Sequence, residues 1–219
     1  MKKSARVLLL AMILFFTSTS FVFAKTFSDI KNHWARAYIE SLSDSGFISG
    51  YEGNYFKPQN EISKVEFYSV VNNMANLKKT YTVTFSDVSP KDWYYTDVSK
   101  AIKAGYLVPT TGNLYPNKSI LREEVVYVFA YMYNFQDRDL DFKKFEDAKD
   151  VNPAYQGAMG ALVKAGVIEG SAGKLNPKGA ITRGEFCAIA ASLIDKYGLP
   201  GEKVVIDSKI KFGPRDMYK

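Results

Sequence analysis

One ordered set of short motifs passes three times along the chain, and this constrains the fold more than any other feature. Phe27-Ser28-Asp29, Phe85-Ser86-Asp87 and Phe145-Glu146-Asp147 recur at spacings of 58 and 60 residues. Gly46-Phe47-Ile48, Gly105-Tyr106-Leu107 and Gly166-Val167-Ile168 follow in the same order. Pro58, Pro116 and Pro177 each precede Ile62, Ile120 and Ile181, and each isoleucine precedes Glu66, Glu124 or Glu185. Repetition at this period marks stacked supersecondary units that cannot bury their apolar faces singly. The repeats are expected over 25–82, 83–142 and 143–198, with a tail over 199–219.

Each unit reads as two helices joined by a glycine-containing loop. Ser89-Pro90 and Asn152-Pro153 place a capping side chain before a proline, a helix-start signal. Tyr155, Ala158, Met159, Leu162 and Ala165 follow at helical spacing, and so do Trp34, Tyr38, Ile39 and Leu42. Gly46 and Gly166 then stand where a left-handed residue would close each helix. These first helices are one-sided and must lie on something else. The second helices differ: Val125 to Tyr133 holds no polar residue, and Phe186 to Ile194 only Ser192. Helices apolar all round are buried all round. The class is therefore all-α: three such helices form a central three-helix bundle, the first helices and loops pack outside it, and the repeats fold as one unit.

The start of the chain is read separately. Lys2, Lys3 and Arg6 precede the ten apolar residues from Val7 to Phe16, and Val22-Phe23-Ala24 ends a Ser/Thr-rich stretch. This is the pattern of a signal peptide over residues 1–24, too short in its apolar run for a bilayer span of roughly 20 residues. Its removal takes three basic residues away and lowers the formal net charge from +6 to +3. No arginine-rich stripe remains to bind nucleic acid. Cys187, the one cysteine, sits in an apolar run and reads as a small core side chain. His33 has no second histidine to share a metal or a relay, and no nucleophile elbow or phosphate loop is present. An enzyme, a metal site and a cofactor are not expected.

Ser63-Lys64-Val65-Glu66 and Thr182-Arg183-Gly184-Glu185 are capping boxes. Capping accounts for the Ser/Thr and Glu, but not for Lys64, Arg122 and Arg183 at the first helical position, where the helix dipole disfavours a cation. Two uses are open. Each cation, beside the free N–H groups of a helix start, would hold an anion, or each pairs with an acidic side chain of the protein.

Phe-x-Asp, then Trp, Gly-apolar-Ile, Pro and Ile-Thr-Arg-x-Glu together resemble the S-layer homology domain, over roughly residues 25 to 197. The resemblance implies a pseudo-threefold trimer of repeats, with three helix-loop prongs around the central bundle. It implies non-catalytic anchoring at the cell surface of a secreted, most often Gram-positive, protein. The implied partner is a secondary cell-wall polysaccharide attached to peptidoglycan, anionic and often pyruvylated, held in grooves between prongs. The family's arginine maps onto Arg183 and Arg122, and onto Lys64 with loss of the planar fork. Trp34 and Trp93 are either sugar-stacking faces or core, with Tyr155 read as their counterpart in the third repeat. Gly50 and Gly170 are candidate loop donors to sugar. Leu121 for Ser/Thr and Pro109 for glycine weaken the second repeat, so one or two competent grooves are expected. A structural module that contacts another envelope protein, without binding sugar, is the alternative.

Overall fold

The computed structural model describes residues 26–135 and 141–200. The signal segment and the alternating stretch from Val204 to Phe212 lie outside these residues. Six α-helices make up the described fold: α1 Arg36–Asp44, α2 Lys64–Met74, α3 Tyr95–Ala104, α4 Arg122–Met132, α5 Gln156–Lys164 and α6 Arg183–Tyr197. Among the described residues the extended pairings are isolated bridges, not strands. The protein is all-α.

The odd-numbered helices end as the glycines predict. Gly46, Gly105 and Gly166 take φ of 75°, 87° and 63°, which a side chain would oppose. Phe47 N–H then reaches back to Leu42 O at 3.0 Å, and Val167 N–H to Leu162 O at 3.0 Å. One predicted start moves. Ser89 makes a turn, donated to by Lys91 N–H, and α3 begins only at Tyr95 without a side-chain cap. Asn152 does cap, accepting from Ala154 N–H at 3.0 Å, but it opens a 3₁₀ turn over Pro153–Tyr155 that leads into α5.

The aspartates of the Phe-x-Asp motifs have one task repeated three times. Asp29 accepts from Phe56 N–H and Lys57 N–H at 2.9 and 2.7 Å. Asp87 does the same for Leu114 and Tyr115, and Asp147 for Leu175 and Asn176. Lys57, Tyr115 and Asn176 sit at φ of 58°, 56° and 53°, a left-handed corner that non-glycine residues adopt reluctantly. Two charge-assisted bonds from one carboxylate hold that corner. It turns the chain toward Pro58, Pro116 or Pro177 and the second helix.

From there the repeats lock into one another cyclically. Ile62 N–H donates to Ile181 O, Ile120 N–H to Ile62 O and Ile181 N–H to Ile120 O, at 3.1 to 3.2 Å. Around this ring of three bonds, each even-numbered helix gives its first N–H groups to the next repeat. Lys64 and Val65 donate to Lys118 and Pro116 carbonyls, Arg122 and Glu123 to Gly179 and Pro177, and Arg183 and Gly184 to Asn60 and Pro58.

Inside the ring, Phe67, Phe129 and Phe186 meet with centroids 5.7 to 5.9 Å apart, all fully buried. The bundle is thus joined through one phenylalanine from each of α2, α4 and α6. The helix pairs packed against it cross repeat boundaries: α3 lies on α2, α5 on α4, and α1 on α6. A repeat is therefore not the packing unit. Its first helix completes the preceding repeat, and α1 closes the circle on the last.

Candidate functional site

The cyclic packing brings Lys64, Arg122 and Arg183 each beside the capping glutamate of the following repeat. Lys64 Nζ is 3.6 Å from Glu124 Oε1, Arg122 Nη2 is 3.2 Å from Glu185 Oε1, and Arg183 Nη1 is 3.5 Å from Glu66 Oε1. Each glutamate also caps its own helix: Glu66 accepts from Ser63 N–H and its hydroxyl, and Glu185 from Thr182 in the same way. Glu124 accepts from Leu121 N–H at 2.9 Å, so the box keeps half its bonds where leucine replaces the hydroxyl. The expectation of free N–H groups at these helix starts is corrected. The first turn donates to the neighbouring repeat, because the left-handed corner lays carbonyls directly over it.

The three cations are not equivalent. Arg183 is only 2% exposed. Its Nε donates to Phe56 O at 3.0 Å and Nη2 to Ser49 O at 2.7 Å. Its guanidinium packs against the rings of Tyr51 and Phe56, 4.7 and 4.4 Å from their centroids. Arg122 keeps 18% of its side chain exposed; its Nε donates to Leu175 O at 3.1 Å and Nη2 to Glu185. Among the described residues no acceptor pairs with its Nη1. Burial raises the Glu66 carboxyl, but hydrogen bonds from the Tyr51 hydroxyl and Ser63, with the Arg183 charge, outweigh it and hold the group below the ordinary carboxylate range. The partner hydroxyl of Tyr51, 2.6 Å away, is pushed up to about 12, first by burial and then by that bond to Glu66.

Two open clefts adjoin these pairs. Groove 1 lies over α2, between the Gly46–Tyr51 loop, Asn73, Trp93 of the second repeat and Arg183 of the third; it encloses about 320 Å³. Groove 3 lies over α6, between the Gly166–Ser171 loop, Ser192, Trp34 of the first repeat and Arg122 of the second; it encloses about 430 Å³. Both follow one rule: loop and second helix from one repeat, indole from the next, arginine from the one before. Trp34 and Trp93 are 60% and 66% exposed, which excludes the core reading of their position. Tyr38, also expected on the buried stripe, is exposed beside Trp34 in groove 3.

Over α4 the equivalent space is filled. Ser69 and Asn73 on α2, and Ala188 and Ser192 on α6, correspond by helix position to Tyr127 and Tyr131 on α4. Tyr127 is buried against Tyr155, with ring centroids 5.2 Å apart, and Tyr131 donates to Ala104 O at 3.2 Å. The indole is missing too. Trp34 and Trp93 stand two residues before α1 and α3, and two before α5 stands Ala154, not Tyr155. The sequence spacing agrees: Trp34 and Trp93 stand twelve residues before Gly46 and Gly105, and twelve before Gly166 stands Ala154, so the expected correspondence with Tyr155 is corrected.

Gly50 and Gly170 border grooves 1 and 3, but packing requires them. A Cβ at Gly50 would fall 2.3 Å from Phe27 Cε1 and 2.5 Å from Tyr55 O. At Gly170, where φ is also +73°, it would fall 2.6 Å from Phe145 Cε1 and 2.7 Å from Lys174 O. Each glycine admits the phenylalanine of the Phe-x-Asp motif against its loop. Sequence reasoning missed Ser69, Asn73 and Ser192; their signal is a polar or small residue on otherwise apolar helices.

With this geometry in place, comparison with known proteins gives the class. The S-layer homology domain matches three times, over residues 26–67, 84–126 and 144–187. The chain belongs to the S-layer homology domain family. Similar proteins include an amylopullulanase of Thermoanaerobacterium thermosulfurigenes, 31% identical over 82% of this chain and 10% of that protein. The S-layer protein sap of Bacillus anthracis is 27% identical over 82% of this chain and 22% of that protein. A cellulosome-anchoring protein of Acetivibrio thermocellus is 33% identical over 34% of this chain and 17% of that protein. The chain thus spans about a tenth to a fifth of the length of these relatives. They share this module, and S-layer homology modules are cell-surface anchors.

Proposed function

We propose that this protein is a non-catalytic anchor that holds an anionic, pyruvylated secondary cell-wall polysaccharide in grooves 1 and 3 at the surface of a Gram-positive bacterium. The observation that carries this reading is the pair of exposed indoles, each facing a cleft that also holds an arginine from another repeat. A flat apolar face left in water, ringed by hydroxyl, amide and guanidinium groups, matches a sugar ring with its apolar face and polar rim. The tyrosine-filled face over α4 supports two working grooves, not three. His33 supports a binding role over a catalytic one: its Nδ1 accepts from Ala35 N–H at 3.1 Å and its Nε2 lies 2.8 Å from Gln59, so both ring nitrogens serve the fold.

Pull-down of the purified protein on isolated walls tests the reading. Binding should be retained by native walls and lost from walls stripped of polymer with hydrofluoric acid. Equal retention by stripped walls would end it, and would point to a protein partner or bare peptidoglycan. Trp34→Ala and Trp93→Ala should each weaken retention severalfold and together by more than either, because two grooves on one polymer act at high effective concentration.

A further inference from the structure

We infer that the two grooves take chemically different parts of the polymer: groove 3 receives an acid group on Arg122, while groove 1 receives an uncharged sugar. This rests on the proposed polysaccharide binding and divides the labour within it. The reasoning turns on what each arginine has left to offer. Arg183 borders groove 1 with all three nitrogens donating inside the fold and the rings of Tyr51 and Phe56 packed against its guanidinium. Extracting it for a ligand would strand two carbonyls, Phe56 O and Ser49 O. What groove 1 presents instead is neutral: the indole of Trp93, the ring of Tyr51 and the amide of Asn73. Stacking faces and an amide suit hydroxyl and acetamido groups, and offer an acid group no available cation.

Groove 3 has the same plan and a different balance. Arg122 retains Nη1, with two N–H donors free of acceptors among the described residues, on a side chain open to the cleft. Glu185 is committed to Thr182 and to Nη2 of the same arginine, so it orients the guanidinium without closing it. An acid group of the sugar would meet Nη1 in a charge-assisted hydrogen bond, beside the corner of Trp34 and Tyr38, whose centroids are 6.5 Å apart. Glu169, exposed on the loop at the edge of the cleft, opposes an anion and narrows where it is admitted.

The chain supplies its own reporters, since Trp34 and Trp93 are its two tryptophans, one per groove. In Trp93→Phe the remaining indole reads groove 3; in Trp34→Phe it reads groove 1. Each is titrated by fluorescence with short fragments of polysaccharide released from the source bacterium's walls, before and after reduction of the carboxylates to alcohols. Carboxyl reduction should weaken the Trp34 response about tenfold or more and leave the Trp93 response within twofold. Arg122→Gln should reproduce the loss at Trp34 with native fragments, and Glu169→Gln should tighten binding there. Equal losses at both indoles, or no loss at either while both bind, would overturn the division. If neither indole responds to native fragments, polysaccharide binding itself fails, a result distinct from either.

Discussion

Arg183 shows how one residue type at one motif position serves different ends. Its replacement by alanine leaves Phe56 O and Ser49 O without their side-chain donor and Glu66 without its ion-pair partner in a largely buried setting. Breaking a buried ion pair from one side costs about 3–5 kcal/mol, so the urea midpoint of Arg183→Ala should fall by that equivalent. Arg122→Ala, at the open groove, should cost about 1 kcal/mol or less, as partly exposed pairs do. Equal losses for the two would show that Arg183 is not held as its contacts indicate. Glu66 adds a pH signature. Its carboxyl titrates lower in the folded chain than unfolded, so its contribution is present above about pH 4.5 and is lost as pH falls through the folded value. Tyr51→Phe removes the leading stabilising bond and should flatten the dependence of stability on pH in that acid window. The sequence displayed the three cations and their unfavourable dipole position, yet not their partners. Carboxylates 60, 63 and 117 residues away become neighbours only through the cyclic ring. Gly50 and Gly170 were legible as positions, but their packing role was not, because a close approach of Phe27 or Phe145 leaves no local pattern.

At the scale of elements, composition was the surest guide. Val125 to Tyr133 and Phe186 to Ile194 were apolar on every side, and α4 and α6 are buried accordingly. What periodicity could not supply is which face a first helix shows to its neighbour. Trp34 and Tyr38 fit the apolar stripe of α1 as well as Ile39 and Leu42 do, but the stripe is wider than the contact with α6, and the aromatics at its edge stay in water. The loss of the tryptophan in the third repeat, by contrast, was legible by counting: twelve residues before Gly166 stands Ala154, and Tyr155 lies one position past that register. The central phenylalanines give the cleanest test of the bundle. Phe129→Ala empties one third of the triangle, and a buried Phe→Ala change costs about 3–5 kcal/mol. Thr182→Ala deletes one cap at the start of α6 and should cost only about 1 kcal/mol. Urea melts of the two, with unchanged slopes, should rank them in that order; a Phe129→Ala loss near that of the cap would mean that the three helices do not depend on their common centre.

For the whole molecule, the pairing of α1 with α6 decides how it unfolds. In a linear stack of repeats, the terminal units contact one neighbour each and fray first. Here the first and last repeats are also neighbours, through α1 on α6 and through Ile62 N–H on Ile181 O. There is no end from which to fray, and each helix pair needs two repeats. Removing the third repeat would therefore do more than subtract a third of the stability: it would uncover α1, break the isoleucine ring at two of its three bonds and take Phe186 from the centre. Single-domain cooperativity is expected. The indoles report on different junctions, Trp34 on that of the first and third repeats and Trp93 on that of the first and second. In Trp34→Phe and Trp93→Phe, urea transitions followed by the remaining indole and by helical circular dichroism should coincide within each variant. A chain cut after residue 142 should show no cooperative transition. If it retains one, or if the Trp93 junction outlasts the Trp34 junction in urea, closure of the ring is not what makes the three repeats a single folding unit.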